Sequence, residues 1–328
     1  MRLTLADAEA LVLAALMRNR VAGGAARSVT RALVQAEAAG QANHGLRRVP
    51  AYAAQARAGK ADGHATPAMT RPRPGVLAID ARLGFAYPAL DMAVDALPGV
   101  AREQGIALAL IGRSHHAGVA GLTVEALAEA GLAAIMVANA PASMAPWGGR
   151  KPLFGTNPIA FAAPLPDADP IVVDMALSKV ARGRVMAAQQ KGIAIPEGWA
   201  LDAEGRPTTD PDAAMAGTMV PAGDAKGAGL ALMVELLSAG LTGSNYAFEA
   251  SSLFDDRGPS PALGHVIIAI DPGAMAGNAV ARFADMAREF AAQDGVRLPG
   301  RRGQTARAEA LRNGLEIEEA VIEAVRRS

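Results

Sequence analysis

The segment Asn43-His44-Gly45-Leu46-Arg47-Arg48-Val49-Pro50 places an imidazole and two guanidiniums within a few residues of one another. An imidazole titrates near neutrality and can pass a proton to a developing alkoxide. An arginine can clamp a carboxylate through parallel N–H bonds, and a charge-assisted bond contributes ~1.5–3 kcal/mol. Gly45 allows a close backbone approach. On these residues alone, a surface loop with solvated arginines is an equal reading.

Further segments carry similar signals. Gly112-Arg113-Ser114-His115-His116-Ala117-Gly118-Val119-Ala120-Gly121 follows an apolar run ending at Ile111. A strand–turn–helix unit of this kind exposes backbone N–H groups at a helix N-terminus, which suits a phosphate-like anion. The alternative is a tight turn carrying a core histidine. Gly149-Arg150-Lys151-Pro152-Leu153-Phe154-Gly155-Thr156-Asn157-Pro158 is a stiff, basic loop of the sort that holds a binding surface in shape. Asp174-Met175-Ala176 ends an apolar run, and Arg182-Gly183-Arg184 lies just beyond it. Gly223-Asp224-Ala225-Lys226-Gly227 opens a helix, where Lys226 meets a phosphate or is a solvated lysine near the cap.

Other chemistries are excluded or disfavoured. The chain contains 5 histidines and no cysteine, so disulfides, thiolate-ligated zinc, iron–sulfur clusters and cysteine nucleophiles are ruled out. Among His44, His64, His115, His116 and His265 no pair has the i, i+4 spacing of a helical zinc site. His115 and His116, if extended, point in opposite directions, and no metal site is expected. Lys+Arg and Asp+Glu both number 32, which leaves no electrostatic footprint for nucleic acid. The first residues carry Asp7 and Glu9 where a signal peptide would be apolar, and no run spans a bilayer. These features read as a soluble, cytoplasmic protein.

The elements that must position these groups follow from periodicity and breakers. The 328 residues, 51% hydrophobic but only 4% aromatic, give about two domains with aliphatic and alanine cores. Helices are expected over 5–20, 25–39 and 50–58, with Thr4 and Asp7 as a capping box for the first. Arg71-Pro72-Arg73-Pro74-Gly75 reads as a domain boundary. Beyond it, short apolar runs at 76–79, 107–111, 133–137, 159–163, 171–173 and 266–270 read as strands. Helices at 88–104, 122–130, 226–239 and 278–293 lie between several of them, which is an α/β pattern. The tail 305–328 reads as helical and able to fold back on the N-terminal helices.

The glycines argue against a Rossmann or Walker loop. Gly227-Ala228-Gly229 and Gly118-Val119-Ala120-Gly121 both fail to complete G-x-G-x-x-G, and Lys226 precedes its glycine. Taken alone, this ranks a dinucleotide enzyme low.

In their order along the chain, however, these segments resemble the malate/L-lactate dehydrogenase family of the second type. That family includes sulfolactate and ureidoglycolate dehydrogenases and Δ1-piperideine-2-carboxylate reductases. The resemblance runs from Asn43-His44-Gly45 through Ser114-His115-His116, Lys151–Pro158, Asp174-Met175-Ala176 and Ala181-Arg182-Gly183 to Leu298-Pro299-Gly300. It implies an NAD(P)-dependent oxidoreductase whose cofactor sits on a non-Rossmann α/β domain with a largely antiparallel sheet. A helical domain is then built from residues 1–74 and the returning tail 295–328, with residues 75–294 holding the cofactor. It also implies a homodimer with the active site at the subunit interface and a small anionic substrate.

The resemblance likewise implies roles. His44 matches the proton donor and Arg48 the carboxylate anchor, with Asn43 beside them in the substrate pocket. His116 matches a residue shared by substrate and cofactor. Thr156, Arg182 and Gly183 match substrate contacts. Ala117, Gly118, Val119, Ala120, Asp174, Met175, Ala176, Ala225 and Lys226 match cofactor contacts, as do Arg302 and Arg307 more loosely. Many members have Ser where this chain has Asn43, and His where it has Ala225. Arg184 stands where the imine-reducing branch has an acid, and Glu249–Phe254 looks most like the sulfolactate branch. The leading expectation is a dehydrogenase of a sulfolactate- or malate-like 2-hydroxy acid. A cyclic imino acid reductase is the second reading, and a non-catalytic small-acid binding protein the third.

Overall fold

In a computed structural model that describes residues 1–274 and 276–328, the N-terminal unit is helical. It comprises β1 (Arg2–Leu3), α1 (Leu5–Arg18), α2 (Gly23–Ala38) and α3 (Val49–Ala58). Thr4 caps α1 by accepting the Asp7 N–H at 3.1 Å. Between α2 and α3 run two tight 3-10 turns, Ala42–His44 and Leu46–Arg48, which meet at Gly45. Then come β2 (Ala68–Arg73), β3 (Val76–Asp80), α4 (Ala86–Gln104), β4 (Ile106–Ser114), α5 (Ala120–Glu129), β5 (Ala133–Ala138), β6 (Ile159–Leu165) and β7 (Ala168–Met175).

A small unit follows: α6 (Arg182–Lys191), β8 (Ala200–Leu201), β9 (Pro207–Thr208), α7 (Pro211–Ala216) and β10 (Thr218–Met219). The chain returns to the main body with α8 (Ala225–Glu235), which runs into a π turn at Leu236–Gly240, and β11 (Leu263–Ile270). It closes with α9 (Ala279–Ala291), α10 (Arg301–Asn313), β12 (Leu315–Glu316) and α11 (Glu319–Arg327).

The principal sheet has the order β2-β3-β4-β11-β5-β6-β7. Only β3 and β4 are parallel, and the other neighbours are antiparallel. β11 inserts between β4 and β5, so His265 lies beside the end of β4. Its run Leu263–Ile270 is buried almost throughout because both faces of the sheet are covered there. One apolar core continues from Leu16 on α1 through Tyr52 on α3 to Leu97, Ile111 and Met136, and on to Ile322 of α11. α8 covers the opposite sheet face through Ala231 and Val234, against Val137 and Val266.

The architecture is α/β with a largely antiparallel sheet, as the resemblance implied. The tail packs on the N-terminal helices, and β12 pairs with β1. Three details differ from the sequence reading. The Arg71–Gly75 breaker is a hairpin turn, because β2 already belongs to the sheet, so the helical unit ends before Ala68. The tail is two helices broken at Gly314, whose backbone crowds Leu3 where β12 pairs with β1. The small unit, whose strands are two residues each, gave no periodic signal. Among the described residues no helix is long and apolar enough to cross a membrane.

Candidate active site

The loop carrying His44 is held from below by α2. Glu37 reaches under it and its Oε2 accepts the Leu46 N–H at 2.8 Å. A Cβ at Gly45 would collide with that carboxylate, so a larger residue here would push Glu37 aside. Burial pushes the Glu37 carboxyl up, against the pull of the Leu46 N–H. Arg48, just before α3, donates from Nε to the Asn43 carbonyl at 2.9 Å. The Phe254 ring lies over its guanidinium, 4.9 Å from centroid to Cζ. The terminal nitrogens of Arg48 have no partner among the described residues. That is the fork a carboxylate needs.

The imidazoles of His44 and His116 stack, with centroids 5.2 Å apart and planes 19° apart. His116 is held on its far side, where Nδ1 lies 2.6 Å from the Tyr52 hydroxyl, itself 3.2 Å from the Tyr87 hydroxyl. His44 has no such partner among the described residues: its Nδ1 is shielded from solvent and unpaired there. Burial, reinforced by the Arg48 charge, pushes His44 down to about 4. Burial also drives His116 well below its usual value, with Arg48 and the other histidines adding to it. Both rings are therefore neutral at pH 7. A neutral imidazole is a base.

His115 has a different environment from His116. Its ring packs edge-on against Tyr52 and Phe85, each at 5.5 Å, inside the core. His265 supports the same corner, with Nε2 3.0 Å from the Ser114 hydroxyl and 3.0 Å from the His115 carbonyl. Both His115 and His116 abut Tyr52, because the chain leaves strand geometry after Ser114 and the alternation of an extended pair does not apply.

The remaining predicted positions fall into two groups. Gly183, on the first turn of α6, lies against Asn43, and a Cβ there would sit 3.6 Å from Asn43 Nδ2. Its neighbour Arg182 is half-buried, reaches only the Met215 carbonyl at 3.5 Å among the described residues, and has its basicity lowered by burial. Thr156 sits between Gly155 and Asn157 in a pinned loop. Asn157 donates to the Glu235 carboxylate and to the Ala231 carbonyl, both at 3.0 Å, while Glu235 also accepts from Asn139 and the Ala247 N–H. Burial raises the Glu235 carboxyl despite these donors.

The stretches Ala117–Ala120 and Asp174–Ala176 adjoin, because Asp174 accepts the Gly121 N–H at 2.8 Å. One N–H at the N-terminus of α5 is thus already met by a carboxyl that burial pushes up. Gly118 has φ +71° and packs on the Tyr87 hydroxyl. Ala225 and Lys226 are exposed at the start of α8, and Arg302 is exposed on α10. Arg307 is instead bound to the buried Glu125 at 2.7 Å and braces α10 against α5. Arg47 pairs with Glu318 at 2.7 Å and faces α11 rather than the histidines.

Sequence reasoning passed over Tyr52, Tyr87 and Glu37, and gave Glu235 no role beyond its place on the helix. Tyr52 had one signal: the chain has only 3 tyrosines, and this one lies on the helix that Arg48 opens. Tyr87 and Glu235 act through contacts with residues distant in the chain, and Glu37 through the Leu46 N–H nine residues on.

Known proteins resemble this chain over nearly its whole length. The profile of the malate/L-lactate dehydrogenase family matches residues 3–326. The chain is 52% identical over 324 residues to a (2R)-3-sulfolactate dehydrogenase (NADP(+)) of Chromohalobacter salexigens, covering 99% of this chain and 97% of that protein. It is 39% identical over 330 residues to a Delta(1)-pyrroline-2-carboxylate/Delta(1)-piperideine-2-carboxylate reductase of Pseudomonas putida, covering 99% and 96%. The crystal structure of delta1-piperideine-2-carboxylate reductase from Pseudomonas syringae pvar. tomato superposes with a TM-score of 0.94 at 35% identity, covering 100% of this chain and 99% of that one. Sulfolactate dehydrogenase from Methanocaldococcus jannaschii gives a TM-score of 0.89 at 28% identity, with 100% and 96% covered.

Proposed function

The chain belongs to the malate/L-lactate dehydrogenase family, and we propose that it is an NAD(P)-dependent oxidoreductase interconverting a small 2-hydroxy acid and its 2-keto acid. The observation that carries this reading is the His44 imidazole, stacked on His116, beside an Arg48 guanidinium whose terminal nitrogens are unpaired among the described residues. The residues fit a nicotinamide cofactor. β7 is one of the sheet's two edge strands and ends in the exposed Asp174 and Met175, where Asp174 accepts the Gly121 N–H just beyond the half-buried Gly118 and Val119. Ala117–Ala120, Asp174–Ala176, Ala225 and Lys226 would hold it, with Arg302 as a further cation. When bound, the nicotinamide supplies or accepts the hydride.

The chain's own residues do the rest. Arg48 grips the substrate carboxylate and so places the neighbouring carbonyl carbon. His44 takes the hydroxyl proton in oxidation and returns it to the carbonyl oxygen in reduction, a role contributing ~10²–10⁴-fold. In the free protein the Arg48 charge helps keep His44 neutral. A bound carboxylate offsets that charge and lets His44 hold a proton more readily. Tyr52 keeps the His116 ring in place, and Gly183 leaves room for substrate beside Asn43.

Arg182 points to the substrate class. A half-buried guanidinium without a carboxylate partner, one residue from the Asn43 contact, suits a second anionic group. A sulfonate or second carboxylate meets it, whereas a cyclic imino acid carries only one anion. The likeness to pyrroline- and piperideine-carboxylate reductases keeps imine reduction as the second reading. Turnover of sulfopyruvate, oxaloacetate and piperideine-2-carboxylate, each with NADH and NADPH, separates the two. Faster imine reduction would reverse the assignment, and no absorbance change with any of them would leave a binding protein.

A homodimer with the active site at the subunit interface completes the proposal. Leu230, Met233 and Leu236 form an apolar stripe on α8 and its π turn, and they are 43%, 42% and 52% exposed. Light scattering that returned a monomer mass would remove this part. Nicotinamide chemistry also fits a cytoplasmic location.

A further inference from the structure

Lys60 follows α3, and its side chain is wholly buried, yet the chemistry above gives it no task. Its Nζ donates to the Asp255 carbonyl at 3.1 Å and the Arg257 carbonyl at 2.7 Å, and lies 3.5 Å from the Asp255 carboxylate. Gln55, on the last turn of α3, donates to the same Asp255 carbonyl at 3.0 Å. A buried ammonium is tolerated only when its hydrogen bonds are met, and here the loop 251–258 supplies them all. Removing either side would leave the other unsatisfied. The loop is therefore tied to the end of α3.

The residue before this clamp is Phe254. One face of its ring covers the Arg48 guanidinium, and the side chain remains 46% exposed. Within the loop, the Phe254 N–H meets the Ser252 hydroxyl at 3.1 Å and the Arg257 N–H meets the Asp255 carboxylate at 3.0 Å. Those bonds shape the loop but do not tie it to α3. Lys60 and Gln55 do. α3 thus begins beside the cation and ends at the residues that seat its aromatic cover, so one rigid helix sets the distance between them.

We propose that Lys60 and Gln55 are positioning residues of the substrate site: they clamp the 251–258 loop so that Phe254 covers one face of Arg48 and leaves its terminal nitrogens turned to the substrate carboxylate. The inference rests on Arg48 as the carboxylate anchor. Covering a guanidinium face keeps water off it and restricts its plane, which favours the in-plane fork. The effect belongs to substrate binding rather than to proton or hydride transfer.

The test is a double-mutant cycle of Lys60→Met and Phe254→Ala, assayed with the 2-keto acid that the unaltered protein reduces fastest. Each single change should raise the keto-acid KM about fivefold, leaving kcat and the cofactor KM unchanged. The double variant should be no worse than Phe254→Ala alone, and Phe254→Tyr should retain the original KM. Asp255→Ala, a partly exposed change, should give a smaller rise with the same coupling, and replaces Lys60→Met if that variant does not fold. Additive effects would overturn the inference, as would an unchanged keto-acid KM in both clamp variants beside a raised one in Phe254→Ala. An unchanged KM in Arg48→Lys would instead remove the anchor itself, and the inference with it.

Discussion

The loop around His44 and the small unit around Arg182 touch at Asn43 and Gly183, but they are held in different ways. The loop rests on the main core. Glu37 lies beneath it, the Asn43 carbonyl holds Arg48, and the buried Tyr52 holds the ring stacked on His44. The small unit has its own core of Val180, Val185, Ala188, Ile195, Ala200, Ala214 and Met219. α6 buries only Val185 and Ala188. A segment with so few buried contacts opens at lower free energy than the main core. On the proposed reading, the groups aligned for proton transfer sit on the rigid part, and the group that meets the far end of the substrate sits on the part free to adapt.

That contrast can be broken by experiment. The largest effect should follow His44→Ala, with kcat lowered ~10²–10⁴-fold and substrate binding little changed. If binding alone suffers, His44 is a positioning group and the rigid loop has another purpose. Next comes Arg48→Lys, which keeps the charge but loses the planar fork. It should raise KM about ten- to a hundredfold for monoanionic and dianionic keto acids alike.

Arg182→Gln should discriminate between substrates. KM should rise roughly tenfold for oxaloacetate or sulfopyruvate, while pyruvate is unaffected. An equal loss for pyruvate would show that the small unit holds the common carboxylate, and the contrast would fail.

The pH profile sharpens the comparison without a mutation. With His44 pushed down to about 4, the base is already unprotonated at neutral pH. kcat/KM for hydroxy-acid oxidation should therefore be flat around neutrality and fall only as pH drops toward about 4. In reduction the imidazolium is required, so kcat/KM should fall as pH rises above that value. kcat for reduction should titrate at higher pH, because bound carboxylate offsets the Arg48 charge. Coincident profiles for kcat and kcat/KM would show that Arg48 and the substrate do not act on His44 together.

Much of the fold could be read from residue order. The apolar runs at 76–79, 107–111, 133–137 and 159–163 all lie in strands, because alternation and breakers are local signals. The 176–222 region could not be read this way, since two-residue strands and a six-residue α7 leave no period to detect. In the site, the types and order of His44, Arg48, His116 and Gly183 were legible. The pairing of Arg307 with Glu125, and of Asp174 with the Gly121 N–H, was not. Both join residues far apart in the chain, and neither partner marks the other.

The order of residues thus determined which groups are available: an imidazole and guanidinium in one tight loop, glycines where backbones meet, and no thiol. Residue type alone could not tell which histidine stays in the core and which faces the site, because His115 and His116 are chemically identical neighbours, and only the resemblance to the family marked His116. Folding separated them. Tyr52, brought in by α3, packs edge-on against one ring and hydrogen-bonds the other, and burial then sets the protonation of both.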